Sequence, residues 1–277
     1  MRKHFSTILL VLILMTGLSL LLYPTVSDAW NALHQTRAID SYTANVARIN
    51  DARYKEILQR AEDYNANLFA TPHTLALTES QIPDYESQLN VAGDGIMGYI
   101  EIPQIDCTLP IYHGTEAAVL QIAIGHMNGS SLPVGGPSTH TVLSGHRGLP
   151  SARLFSRLDE METGDRFMLH VLDETLTYEV DQIRIVLPDE LDELSIEEGQ
   201  DLCTLVTCTP YGINTHRLLV RGRRVENAAA AQEVRVTADA MQIEPLYIAP
   251  IVAAPLLLIL LILLLAPRRH RYRRSQL

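Results

Sequence analysis

The chain has 277 residues, 47% of them apolar, and 22 Lys and Arg against 32 Asp and Glu, a formal charge of −10. Seven of the basic residues lie outside two terminal apolar runs, so the body between carries 15 against 32 acids, a net of −17. Such an acidic body speaks against nucleic acid as a partner. Three cysteines (Cys107, Cys203, Cys208) are too few for a disulfide scaffold.

Arg2-Lys3-His4 precede an apolar run from about Phe5 to Tyr23. The run is longer than the core of most signal peptides, so residues 1–27 read as an uncleaved membrane anchor. A signal segment cleaved near Val26-Ser27-Asp28-Ala29 is the alternative, and either way the body is exported. In residues 28–70, Trp30, Leu33, Ile39, Tyr42, Val46, Ile49, Tyr54, Ile57, Leu58, Ala61 and Tyr64 recur at three- and four-residue steps. That spacing predicts an amphipathic helix or helix pair, acting as a stem or a packing element. Residues 71–90, with Pro72 and Pro83, read as an irregular connection.

After Gly93-Asp94-Gly95 the period changes to two. Strands are predicted at Ile96–Ile102, Cys107–Tyr112, Thr141–Ser144, Arg166–Leu172, Thr175–Val186, Cys203–Thr207 and Arg217–Arg223, with a short helix over Leu154–Met161. The expectation for 91–226 is an all-β barrel or sandwich with one core. Residues 227–245 read as a linker. Residues 246–266 are apolar and long enough to span a bilayer, and 267–277 form a basic tail expected in the cytoplasm.

The stretch Thr204-Leu205-Val206-Thr207-Cys208-Thr209-Pro210-Tyr211-Gly212 is a strand ending in a turn. A return strand opening at Arg217 would set a cation beside Cys208, and a cation favours the nucleophilic thiolate. The bland alternative is a small core side chain, as expected for Cys107 and Cys203. His146, in Ser144-Gly145-His146-Arg147-Gly148, sits at the end of another strand, where an imidazole can carry protons. His113, His126, His140 and His170 are expected to be exposed loop residues. A metal held by His126, His140, His146 and Cys208 matches no recognised ligand spacing.

These residues together resemble the sortases, cysteine transpeptidases of Gram-positive cell surfaces. Thr204-Leu205-Val206-Thr207-Cys208 is similar to their Thr-Leu-x-Thr-Cys signature. Thr209 to Gly222, Gly95 to Pro103, Leu109 to Gly114, Ser131 to Gly136 and Leu143 to Pro150 extend the likeness over about residues 88–225. The resemblance is to class C, the pilin-polymerising sortases, which carry a second membrane segment at the C-terminal end.

It implies a closed β-barrel of about eight strands with a helical stem and a transmembrane helix at each end. It also implies Cys208 as nucleophile, His146 as general acid/base and Arg217 as support for the oxyanion or substrate. Thr207 would help position the acyl carbonyl, while Arg221 and His216 would be structural. No cofactor and no metal are implied. The partners would be pilins or surface proteins bearing a Leu-Pro-x-Thr-Gly signal, met at the cell membrane by an enzyme expected to be a monomer. A sortase transferring proteins to a peptidoglycan amine is the alternative, followed by a plain cysteine peptidase or a non-catalytic scaffold. Class C members carry a lid built on an Asp-Pro-aromatic motif. Thr78 to Tyr85 has none, and Pro83-Asp84-Tyr85 holds similar residues in another order, so the lid is missing, shortened or differently anchored.

Overall fold

The computed structural model describes residues 5–71 and 75–227. The predicted helix pair is α1 (Phe5–Val46) and α2 (Asp51–Ala70). From Ile8 onward α1 includes a stretch of mean hydropathy 2.2, long and apolar enough to cross a membrane. Asn50 starts α2, its side chain accepting from Arg53 N at 2.9 Å, as an N-cap should. Ile57, Ala61 and Asn65 of α2 recur every four residues and are buried. Asn65 satisfies both backbone groups of Leu132, donating to its carbonyl (3.1 Å) and accepting from its N–H (2.7 Å). Tyr42 does similar work from α1. Its hydroxyl donates to Met97 O (3.0 Å) and accepts from Leu172 N (2.7 Å).

Eight strands follow: β1 (Ile96–Ile102), β2 (Cys107–His113), β3 (Ile124–His126), β4 (Thr139–Ser144), β5 (Arg166–Val171), β6 (Glu174–Val186), β7 (Asp201–Thr209) and β8 (His216–Arg224). They close in the order β1-β2-β3-β4-β7-β8-β6-β5, with β5 paired back to β1. Closure leaves no open edge where pairing is complete. The β2–β3 and β4–β7 pairs are parallel. Inward positions of alternating strands, among them Ile100, Leu143, Phe167, Leu205 and Val220, fill the core. Cys203 lies in it with no exposure, and Cys107 is also buried. Burial pushes the Cys107 thiol up to about 12 and the Cys203 thiol well above the ordinary range, which suits structural roles.

Three expectations need correction. Residues 71–90 are not wholly irregular, because Ile82–Ser87 form α3, which buries Tyr85. The helix expected over Leu154–Met161 is only a 3-10 turn at Leu158–Glu160. β3 escapes the alternation rule because it is three residues long and contains Gly125. The predicted C-terminal apolar segment and tail lie outside the described residues.

Candidate functional site

β7 and β8 pair antiparallel, with Cys208 opposite Arg217, Val206 opposite Leu219 and Thr204 opposite Arg221. Residues directly opposite share a face, with Cβ atoms about 4.5–5.5 Å apart. Cys208 and Arg217 therefore project together, and both are half-buried. β4 runs parallel on the other side of β7, with Ser144 beside Val206. Gly145 N continues that ladder, donating to Val206 O at 3.0 Å. Extending the register by two residues sets His146, also half-buried, level with Cys208. Three strands thus bring a thiol, an imidazole and a guanidinium to one end of the barrel. The Arg217 guanidinium is steadied by the carbonyls of His216 (3.1 Å) and Asn214 (3.3 Å).

The loop carrying His146 is held from several sides. Its carbonyl accepts from Phe155 N at 3.1 Å. A Cβ at Gly145 would meet the Phe155 ring at 2.6 Å and Ile124 Cγ2 at 2.9 Å. Only glycine lets the backbone pass so close. Gly148, at φ +77°, packs under the Tyr211 ring of the β7–β8 loop. Arg147 lies over that ring at 5.8 Å and pairs with Asp159. Beyond the loop, Asp28 of α1 accepts from Arg153 N (2.9 Å), and Asn31 donates to Ser151 O (2.7 Å). None of these supports follows a motif spacing, although the glycines on either side of His146 hint at the close packing.

Thr207 is placed differently from its neighbour. It faces inward, almost fully buried, and its hydroxyl donates to Gly145 O at 2.8 Å. It acts on the site through the backbone before His146. Arg221 forms ion pairs with Asp181 (3.0 Å) and Glu197 (2.9 Å).

Two residues along each strand from Cys208 and Arg217, on the same face, stand Val206 and Leu219. With Val142 and Leu194 they form a separate buried apolar cluster. Met127, Val186 and Leu75 pack against it. Leu75 comes from the connection at residues 71–90, so an apolar residue of that connection packs on the cluster beside Cys208. The segment is anchored through Tyr85. Its hydroxyl shares a 2.9 Å hydrogen bond with His126 Nδ1, lies 3.1 Å from His126 O and accepts from Gly114 N at 3.1 Å.

The four histidines expected in exposed loops are on strands: His113 on β2, His126 on β3, His140 on β4 and His170 on β5. His126 and His140 are buried. They have polar partners, which is how a sheet interior tolerates imidazole. His126 Nε2 donates to Ser131 O (2.8 Å), and His140 Nδ1 donates to Ser195 O (2.8 Å). Of the four residues weighed as a metal set, these two are thus occupied with protein carbonyls. Burial holds the His126 imidazole down at about 4 and lowers that of His140.

A sortase-domain family model matches residues 100–225. Sortase D of Bacillus subtilis is 34% identical over 131 residues, 46% of this chain and 63% of that protein, so the match spans less than two thirds of that relative. The crystal structure of sortase C1 from Streptococcus agalactiae is 55% identical, with a TM-score of 0.67, covering 69% of this chain and all of that one. Sortase C of Streptococcus pneumoniae is 43% identical, with a TM-score of 0.62, over 70% and 98% of the two chains. Clostridium perfringens sortase C, solved with a C-terminal cell wall sorting motif, is 42% identical, with a TM-score of 0.62, over 69% and 100%. The barrel is that of these sortase structures. The chain belongs to the sortase family, and its structural neighbours are class C sortases.

Proposed function

We propose that this protein polymerises pilins, with Cys208 as nucleophile, His146 as general acid/base and Arg217 as oxyanion support. The observation that carries the assignment is the rung pairing Cys208 with Arg217. Cys208 Sγ attacks the carbonyl carbon between Thr and Gly of a Leu-Pro-x-Thr-Gly-type signal. Arg217 bears the charge that gathers on the oxygen. His146 gives a proton to the departing glycine amine, the C–N bond breaks, and a thioester remains. A pilin lysine then loses a proton to His146 and attacks that thioester. The C–S bond breaks, releasing Cys208, and an isopeptide bond is left. Thr207 positions His146 through Gly145.

The class C likeness supports a lysine acceptor, and the pneumococcal neighbour is described in terms of pilin substrate specificity. The neighbour holding a sorting motif supports the donor. The apolar start of α1 would anchor the enzyme in the cell membrane, with the barrel outside. The predicted C-terminal segment would cross back and leave the basic tail in the cytoplasm. Anchoring would raise the effective concentration of membrane-tethered substrates.

Intact-mass measurement of the full chain with a Leu-Pro-x-Thr-Gly peptide tests the reading. An adduct on Cys208 that passes to a pilin lysine supports polymerisation. Passage to peptidoglycan amines alone would establish the anchoring alternative, and passage to water alone a peptidase.

Two substitutions probe the supports. Gly145→Ala forces a Cβ into Phe155 and Ile124, both buried. Overpacking of this kind costs about 1–3 kcal/mol. Displacing His146 by even ~1 Å would lower acylation up to ~100-fold. Thermal melting and the rate of adduct formation check both effects. Leu75→Ala should raise the acylation rate several-fold, because it uncovers apolar floor on the Cys208 face. An unchanged rate would show that Leu75 does not compete with the signal.

A further inference from the structure

β6 is thirteen residues long, but β5 covers only its first half. Glu174–Glu179 pair with β5, and Val180 bonds the backbone of Gly164 and Asp165, whereas Gln182 onward pairs with β8 alone, after a register shift between Val180 and Gln182. Among the described residues, no strand covers the outer edge of 181–186. Such an edge presents unpaired N–H and C=O groups and can template another strand. Its side chains are unusual for a solvated edge. Ile183, Ile185 and Leu187 alternate along it at 38%, 64% and 46% exposure. Their partners across the β8 rung, Val220 and Leu218, are buried, so the barrel core ends while the apolar row continues outward. Natural edges are usually guarded by lysine, proline or short length. This one has a single cation, Arg184, which is paired with Glu193.

The loop that follows is acidic. From Leu187 to Asp201 it carries Asp189, Glu190, Asp192, Glu193, Glu197, Glu198 and Asp201 and no basic residue. Glu193 and Glu197 are spent on Arg184 and Arg221. Asp189, Asp192 and Glu198 are exposed and have no ion pair among the described residues. An apolar edge beside unneutralised carboxylates is complementary to an extended, apolar segment that carries lysine.

We propose that the open half of β6 docks the protein that supplies the attacking amine, by adding one of its extended segments as a strand. The inference rests on the pilin reading and names the surface that reading lacks. Val186 lies opposite Arg217, which lies opposite Cys208, so the free edge is at the reacting end of the barrel. An added strand would be third from β7, about 14 Å away at ~4.8 Å per strand. Some four extended residues span that distance. The acceptor lysine is thus expected within about five residues of the docked segment.

The test compares the full chain with its Ile185→Asp variant in detergent micelles, reading three steps. These are adduct formation with a Leu-Pro-x-Thr-Gly peptide, transfer of the acyl group to hydroxylamine, and transfer to protein lysine. The protein acceptors are the purified surface proteins of the source bacterium that end in such a signal. Ile185 is too exposed for the variant to unfold the barrel, and Ile185→Val serves as control. We expect the first two steps to stay within twofold, transfer to protein to fall at least tenfold, and Ile185→Val to retain it. Undiminished protein transfer by Ile185→Asp overturns the docking surface alone, as does an equal fall in all three steps. A wild-type chain that serves hydroxylamine but none of the proteins overturns the pilin reading, and the docking surface with it. A change from dimer to monomer without loss of transfer would make the edge a contact between copies and reject the proposal.

Discussion

Cys208→Ala should abolish the acyl adduct outright while leaving the barrel as stable as before. Cys208 is half-buried at a strand end, and a smaller side chain there opens no core cavity. Cys208→Ser should be nearly as inactive, because a hydroxyl is far less nucleophilic than a thiol at neutral pH. Arg217→Ala is the more informative change. Losing one oxyanion donor costs about 10²–10³ in kcat, and the peptide's KM should move much less if the guanidinium acts on the transition state. Arg217→Lys should recover only part of that loss, since the ammonium keeps the charge without the planar fork. His146→Ala should slow both acylation and transfer, because one imidazole serves the leaving and the entering amine. Single-turnover mass measurements separate the two steps. A Cys208→Ser chain that kept full activity would sink the assignment, as would an Arg217→Ala chain altered in KM alone.

The rung carrying this prediction is legible because both its strands are long runs rich in apolar and β-branched residues bounded by a turn. A turn of Pro210-Tyr211-Gly212 between two such runs leaves little freedom of register. The same rule reached seven of the eight strands and the helix pair. It failed where period and length ran out. Ile124-Gly125-His126 is too short to show alternation, and its histidine looked like loop because the partners that permit its burial are distant in sequence. Tyr85 comes 41 positions earlier, and Ser131 lies beyond a turn. Leu75 was invisible for a related reason. Nothing in Leu75-Ala76 announces packing on a cluster built from Val142, Val206 and Leu219. The inward turn of Thr207 could have been read from parity alone, since it must face away from Cys208.

The buried histidines make the protein sensitive to acid. His126 Nε2 donates to Ser131 O, which fixes the neutral tautomer and leaves Nδ1 to accept from the Tyr85 hydroxyl. Protonation would place a charge in a fully buried site, and burial holds the imidazole near 4 against an ordinary 6.5. The unfolded chain binds the proton first as pH falls, so stability is complete above 6.5 and is lost between 6.5 and 4. The shift corresponds to a loss on the order of 3 kcal/mol. His140, also lowered by burial, adds in the same direction. Asp201 opposes them, since burial raises its carboxyl and the folded state then gains protons in acid. Urea unfolding of the full chain in micelles, followed by near-ultraviolet circular dichroism from pH 7.5 to 4.5, should show the decline. His126→Gln keeps hydrogen-bonding groups but cannot titrate, so its stability should fall much less over the same range. Equal slopes for the two chains would mean that His126 is not the group responsible. Tyr85→Phe should cost about 1–3 kcal/mol at neutral pH by orphaning His126 Nδ1 and Gly114 N–H. Because Tyr85 also ties the segment bearing Leu75 to the barrel, that variant should acylate faster while melting earlier, a pairing that a purely structural tyrosine would not produce.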